Sequence, residues 1–172
     1  NFGPNMNYTF EVDPDNIAYK AIAVRLDEGG DGITKGKAWL AYDHDLMRVA
    51  AIWTGDRFCD WRSIGMDGSH GTHPKIVGDK FLVHPKAPGW AKPGTEDFAD
   101  PRFLGRDNKP YGPLPRDWTH FKGLYHHGEN VVLKYTVGNR EVLEMADLAS
   151  EAPLVVARNL RVGPGKESML LS

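Results

Sequence analysis

Apolar and polar residues alternate in the first third of the chain, about residues 8–54, as they do in half-buried β-strands. Residues 22–26 place three aliphatic side chains on one face of a predicted strand. Two further strand-like runs, residues 38–42 and 46–53, are separated by Asp43-His44-Asp45. Because Asp tolerates turn geometry, this tripeptide predicts a tight hairpin between two paired strands.

The last third, about residues 119–172, shows the alternation more clearly. Its predicted strands are residues 131–137, 141–145 and 154–162. Between the first two, Gly138-Asn139 predicts a short hairpin turn in which both residues have positive φ angles. Residues 142–149 are also good helix formers, so a helix there is the alternative to a returning strand.

The middle third, about residues 55–118, has no sustained period, and we call it the excursion. It holds eight of the twelve prolines together with Trp61, Trp90 and Trp118. Within it, residues 80–83 have the pattern of a strand. Because disordered linkers are poor in tryptophan, we expect an ordered, proline-stiffened segment packed on the sheet. The three blocks together predict a single all-β domain, either an antiparallel sandwich or a strongly curved sheet.

Composition and motifs exclude several classes of function. The formal net charge of −2 lacks the basic excess of a nucleic-acid-binding protein. The chain has no run of roughly 18 apolar residues, so we expect no membrane span. Cys59 is the single cysteine, which leaves neither an intrachain disulfide nor a C-x-x-C-H haem attachment motif. We expect Cys59 to be a small buried residue, with a nucleophilic thiol as the alternative.

Catalysis has no positive indication in the sequence. The chain has no G-x-S-x-G motif, no P-loop and no dinucleotide-binding glycine motif. Carboxylates that could form a glycosidase pair are numerous, but no spacing selects two of them. These candidates are Asp56, Asp60, Asp67, Asp97, Asp100 and Asp117. We therefore expect no catalytic activity in this chain by itself.

Histidines form one candidate site. His70 and His73 stand three residues apart in a glycine-rich segment that begins at Asp67. Two imidazoles at this spacing can bind one divalent cation, with Asp67 or a distant histidine such as His44 as the third ligand. The alternatives are that an imidazole braces the loop by hydrogen bonds to the backbone, and that the aspartates beside His44 serve only the hairpin turn.

Aromatic residues form a second candidate site. They are Trp61, Trp90, Trp118, Tyr111 and Tyr125. The C–H faces of a sugar ring pack on indole and phenol rings, while nearby polar side chains bind its hydroxyl groups. The alternative is that the tryptophans form the local core of a region without long strands.

Several motifs occur together in a recognisable order. They are Ile17-Ala18-Tyr19-Lys20, Asp43-His44-Asp45-Leu46-Met47-Arg48, residues 67–74, Pro88-Gly89-Trp90, residues 111–115 and residues 122–128. In this order the chain resembles an uncharacterised β-rich domain of large exported proteins of environmental bacteria. In those proteins the domain is joined to c-type cytochrome modules and to propeller-type dehydrogenase-like modules. The resemblance implies a periplasmic or extracellular location, partners within a larger assembly and a redox or polysaccharide-degrading setting. It implies no catalytic residues.

The function that we expect is that of a non-catalytic accessory or binding module of such a cytochrome-associated assembly. The chain begins at Asn1 without an initiator Met, and we expect it to be a piece of a longer protein. One alternative function is a metal-binding or metal-dependent module centred on His70 and His73. The other is a carbohydrate-binding module that uses the tryptophans of the excursion.

Overall fold

The computed structural model describes residues 3–62 and 72–172. This part of the chain forms eleven strands and one short 3₁₀ turn, which confirms the predicted all-β fold. The strands are β1 (Asn5–Asp13), β2 (Asn16–Arg25), β3 (Ala38–Asp43), β4 (Arg48–Thr54), β5 (Cys59–Asp60), β6 (Lys75–Ile76), β7 (Asp79–Val83), β8 (Thr119–His127), β9 (Asn130–Val137), β10 (Arg140–Glu151) and β11 (Leu154–Val162). Within these residues, no helix has the length and apolarity needed to cross a membrane.

Seven strands form one strongly curled sheet in the order β5-β6-β1-β2-β3-β4-β7. β6 and β7 lie on different sides of this order, although only Val77 and Gly78 separate them in the chain. Such a short link requires the sheet to curl until its two sides approach each other. Accordingly, the Lys80 ammonium of β7 donates a hydrogen bond to the Val12 carbonyl of β1 (2.6 Å).

The central strands of this sheet are buried on both faces, because β3 and β4 are apolar at consecutive positions. On the inner, concave face, Trp39 and Trp53 stack with ring centroids 5.8 Å apart, and alanines occupy many of the other positions. On the outer face, larger aliphatic residues such as Leu40 and Ile52 pack against the second sheet. The apolar runs at residues 38–42 and 46–53 therefore belong to strands between two cores.

The second sheet is an antiparallel meander in the order β11-β10-β9-β8. Its inner face places Leu133 and Tyr135 in the core between the sheets. The predicted strand at 154–162 and the hairpin turn at Gly138-Asn139 are confirmed. The helix alternative at 142–149 is wrong, because β10 continues to Glu151.

Two turns differ in detail from the prediction. Of Gly138 and Asn139, only Gly138 has a positive φ angle (56°). In the hairpin between β3 and β4, the second strand begins at Arg48 and not at Leu46. The reason is local, since Met47 has a φ angle of 46° and ends the turn, while Leu46 is buried under the excursion.

The excursion contributes more regular structure than the single strand predicted at 80–83. That strand is β7, and the short strands β5 and β6 extend the opposite side of the same sheet. Further along, the indole N–H of Trp118 donates to the Trp90 carbonyl (2.9 Å), and the indole N–H of Trp90 donates to the Tyr135 hydroxyl (3.2 Å). These buried contacts fix the later part of the excursion on the end of the second sheet.

Candidate ligand-binding cleft

A β-bulge reshapes the hairpin of β1 and β2. The register of the two strands shifts by one residue between Tyr8 and Phe10, so that Tyr19 and Lys20 both stand opposite Thr9. The Thr9 hydroxyl donates a hydrogen bond to the Tyr19 carbonyl (2.8 Å), which holds the bulge. A bulge changes the direction of the side chains around it, and bulges are frequent beside binding sites.

The bulge borders a cleft of about 320 Å³, which we call the Tyr19 cleft. Its described lining is Asn7, Tyr8, Thr9, Tyr19, Lys20, Ala21, Ile22, His44 and His73. The lining thus combines two phenol rings, two imidazoles, an ammonium group and an amide around a small apolar floor. This mixture of ring surface and hydrogen-bonding groups is suited to a small polar ligand with an apolar face.

Tyr19 is the centre of a group of ring contacts. The His73 ring meets it edge-on at 5.9 Å, and the Tyr111 ring lies 5.2 Å away. The Lys86 ammonium lies 5.6 Å from the centroid of the Tyr19 ring. The Tyr111 hydroxyl donates to the Asp107 carboxylate (2.5 Å), and this bond raises the pKa of Tyr111. Three residues of the excursion therefore support the Tyr19 ring.

Tyr8 supplies the second phenol ring of the cleft. Its ring is exposed and meets the exposed indole of Trp61 edge-on, with centroids 5.6 Å apart. Trp61 therefore extends the aromatic surface beyond the cleft, just as Tyr111 does from Tyr19.

His44 lies in the turn between β3 and β4. Its ring stacks on Phe121 of β8 at 4.6 Å, and its backbone N–H donates to the Lys20 carbonyl (3.1 Å). Burial lowers the pKa of the His44 imidazole, although the nearby Asp45 and Asp43 carboxylates oppose the shift. We therefore expect His44 to be neutral at pH 7, with one ring nitrogen able to donate and the other able to accept.

The turn that carries His44 is anchored by a buried arginine. The Arg48 guanidinium donates to the Asp43 carboxylate (3.2 Å), to the Asn16 amide oxygen (2.8 Å) and to the carbonyls of His84 and Pro85 (2.9 and 2.6 Å). It therefore joins the two hairpins to the excursion at the end of the sheet where the Tyr19 cleft lies. Sequence reasoning did not identify Arg48 as important. Three of its four hydrogen-bond acceptors come from distant parts of the chain and therefore produce no local sequence pattern.

Of the predicted metal ligands, the structure brings His44 and His73 to the same cleft. His70 and Asp67 lie outside the described residues. Among residues 3–62 and 72–172, no three or more His, Cys, Asp or Glu residues are grouped in a way that could hold a metal ion.

The five predicted aromatic ligand residues do not form one surface. Trp90 and Trp118 are each 4% exposed and belong to the core. Tyr125 is 55% exposed and lies on β8 of the second sheet. Trp61 and Tyr111 extend the Tyr19 cleft through their contacts with Tyr8 and Tyr19.

Sequence reasoning did not identify Tyr8, Tyr19 or Lys20 as candidate site residues. The available signal was the break in alternation of β2 at Tyr19-Lys20, where two polar residues interrupt a run of alanine and isoleucine.

Cys59 is buried as expected, and burial raises the pKa of its thiol to about 12. A thiolate is therefore not available for nucleophilic attack near neutral pH.

A larger cleft of about 440 Å³, which we call the loop cleft, has a mainly acidic lining, unlike the Tyr19 cleft. It is lined by Lys92, Pro93, Asp97, Ala99, Asp100, Pro101, Pro115, Asp117, Trp118, Gly138, Asn139 and Glu167. Four carboxylates therefore surround one ammonium group. Asp100 accepts a hydrogen bond from the Arg102 guanidinium (2.8 Å), and Asp97 accepts one from the Ala99 N–H (2.8 Å). Two of the four carboxylates therefore stabilise the local loop structure.

Comparison with known proteins identifies the family. The family described as Domain of unknown function (DUF6797) matches residues 40–144, which is more than half of the 172 residues. The chain belongs to this family, in agreement with the predicted resemblance to an uncharacterised domain. No curated protein and no solved structure matches the chain. The matched region includes His44, His73 and Tyr111 but not the strands that carry Tyr8 and Tyr19.

Proposed function

We propose that this domain is a non-catalytic binding module that takes a carbohydrate in the Tyr19 cleft. We further propose that it serves as an accessory part of an exported assembly with cytochrome or dehydrogenase-like modules. The observation that carries the binding role is the bulge at Tyr19 and Lys20, which turns a regular hairpin into one wall of a cleft. The assembly and its location rest on the resemblance described above.

The chemistry of the lining supports a sugar ligand. Tyr8 and Tyr19 offer phenol rings on which C–H groups of a pyranose can pack, and each ring is backed by a second aromatic residue. Asn7 and His44 offer both donors and acceptors, which is the combination that hydroxyl groups require. A cleft of this size is suited to one or two sugar units.

Two buried acids of the domain, Asp43 and Glu144, support a role without chemistry. Asp43 is engaged by Arg48, and Glu144 accepts hydrogen bonds from Tyr135 (2.6 Å) and Arg158 (2.8 Å). These carboxylates hold strands together and are committed to that role.

A glycan array that contains neutral and acidic oligosaccharides, followed by calorimetry on the bound sugars, tests the binding role. We expect Tyr8→Ala and Tyr19→Ala each to weaken binding by about tenfold or more, which is about 1.4 kcal/mol. Tyr125→Ala is the matched control, because that exposed phenol lies on the second sheet. The proposal is refuted if the array is silent, or if the control weakens binding as much as the cleft variants while all of them keep the parental Tm.

Metal binding is the second candidate function, and the shared position of His44 and His73 favours it. Two imidazoles can supply two of the four ligands of a tetrahedral zinc site. Elemental analysis of protein purified without an affinity tag measures this directly. Metal at unit stoichiometry that is lost in both His44→Ala and His73→Ala would establish the metal module, and absence of metal in the parent protein would eliminate it.

The exported location is tested with the native protein. Antibodies against this domain should detect the parent protein in the periplasmic or secreted fraction of the source organism. Recovery in the cytoplasmic fraction would contradict the exported assembly without affecting the binding role.

A further inference from the structure

From the charge of the lining, and resting on the proposed carbohydrate-binding role, we infer that the Tyr19 cleft selects anionic saccharides. The acidic group would bind at Lys20. Three nitrogen bases, Lys20, His44 and His73, line the cleft, and none of its described lining residues is a carboxylate. A neutral sugar does not require an ammonium group, whereas the carboxylate of an acidic sugar forms charge-assisted hydrogen bonds both with an ammonium group and with a neutral imidazole N–H.

Lys20 is the residue that supplies full positive charge. Its side chain is exposed, and none of the ion pairs within the described residues involves it. The bulge places it next to Tyr19 in the strand, and the side chains of both residues line the cleft. A sugar ring that packs on the phenol therefore lies in the same cleft as the ammonium group.

The carboxylates of Asp43 and Asp45, on either side of His44, do not line the cleft. Asp43 is bound to Arg48 (3.2 Å), and both side chains are buried. Asp45 is buried, with a carboxylate oxygen 3.9 Å from the Nδ1 atom of the His44 imidazole. On the excursion side, Lys86 adds a second ammonium group next to the Tyr19 ring.

The loop cleft provides an internal contrast. It carries four carboxylates and a single lysine, Lys92, and therefore repels an anionic sugar. An acidic oligosaccharide offered to the whole domain has one cleft that attracts it and one that does not. Lys92 also supplies a matched control for Lys20, since each is an exposed lysine that lines a cleft.

The test is calorimetric titration with uronic-acid oligosaccharides, each compared with its own carboxyl-reduced counterpart, and with sulfated oligosaccharides of equal length. We expect the acidic forms to bind about three- to tenfold more tightly than their reduced counterparts, as befits an exposed charge contact. Lys20→Gln should abolish the difference, Lys20→Arg should keep it, and Lys92→Gln should leave it unchanged. Preference for uronate or for sulfate ester identifies which anionic group the cleft takes.

Equal affinity for the acidic and reduced forms overturns the anionic selectivity but leaves the carbohydrate-binding role standing. A difference that survives Lys20→Gln, or that disappears in Lys92→Gln, also overturns it. If neither form binds, the proposed function itself has failed.

Discussion

Replacement of Arg48 with Met removes the charged anchor between the two hairpins and the excursion while keeping an unbranched side chain of similar length. The Arg48 side chain is 0% exposed, and its partner Asp43 is 3% exposed. In the variant, Asp43 loses its cation, and the Asn16 oxygen and the carbonyls of His84 and Pro85 lose a donor. The main cost is therefore a carboxylate left charged and unpaired in the interior.

Breaking one side of a buried ion pair costs about 3–5 kcal/mol. For a chain of this size, each kcal/mol lowers Tm by about 2–4 °C, so we expect a decrease of about 6–20 °C. Urea unfolding followed by tryptophan fluorescence gives the free energy of unfolding, and circular dichroism gives Tm. Asp43→Asn combined with Arg48→Met removes the unpaired charge and should recover part of the loss.

Arg62→Met is the control, because the Arg62 side chain is 78% exposed in its ion pair with Asp60 and its loss should leave Tm nearly unchanged. If Arg48→Met lowers the free energy of unfolding by less than about 1 kcal/mol, the reasoning is refuted, because even an exposed ion pair can contribute that much. A double variant that is no more stable than Arg48→Met alone would also refute it.

Three further predictions concern stability. Leu133→Ala should cost about 2–5 kcal/mol in urea unfolding, because Leu133 is fully buried between the sheets, and a cost near zero would contradict that packing. Gly78→Ala should lower Tm, since Gly78 has a φ angle of +93° and a Cβ there would overlap the Thr54 carbonyl; an unchanged Tm would show that the link between β6 and β7 is not tight. Burial and the nearby Asp43 carboxylate raise the pKa of Asp45, so folding disfavours its charged form, and stability is lost as pH rises through the folded-state pKa. Asp45→Asn should therefore raise Tm at pH 7 and lose this advantage below about pH 4, the pKa range of an unfolded aspartate; the same gain at both pH values would exclude the charge as its cause.

The second sheet could be predicted because its signals are local. Alternation at residues 131–137 marks one face as buried, and the Gly138-Asn139 turn follows at once, so the pairing of β9 and β10 needs no distant information. The core positions Leu133 and Tyr135 follow from the same alternation, and both are fully buried.

The curled sheet could be predicted only in part. β5 and β6 have two residues each, which is too short for any period, and they exist because distant strands offer them partners. The tryptophans show the same limit. Trp90 and Trp61 both belong to the excursion, but Trp90 is buried and bonded to the Tyr135 hydroxyl, whereas Trp61 is exposed beside Tyr8.

Sequence reasoning identified only the peripheral residues of the candidate site. His44, His73, Trp61 and Tyr111 were predicted by residue type, but for two different sites. The cleft that connects them is made by Tyr19 and Lys20, whose position depends on a register shift between two strands. A register shift is a property of the paired strands, and the break in the alternation of β2 at Tyr19-Lys20 does not by itself show which residue of β1 lies opposite.

The walls of the Tyr19 cleft are held by three separate sets of contacts, and this bears on how it can bind a ligand. The Thr9 hydroxyl fixes the bulge, Arg48 fixes the turn that carries His44, and the hydrogen bond from Tyr111 to Asp107 fixes the excursion side. Side chains that are ordered before binding lose little entropy when the ligand arrives. Carbohydrate ligands offer modest contact area, so a preformed cleft is the condition under which a few ring and hydrogen-bond contacts suffice for useful affinity. The buried polar contacts of this end of the sheet are therefore best understood as the scaffold of the cleft, and a loss of any one set should weaken binding even where the domain stays folded.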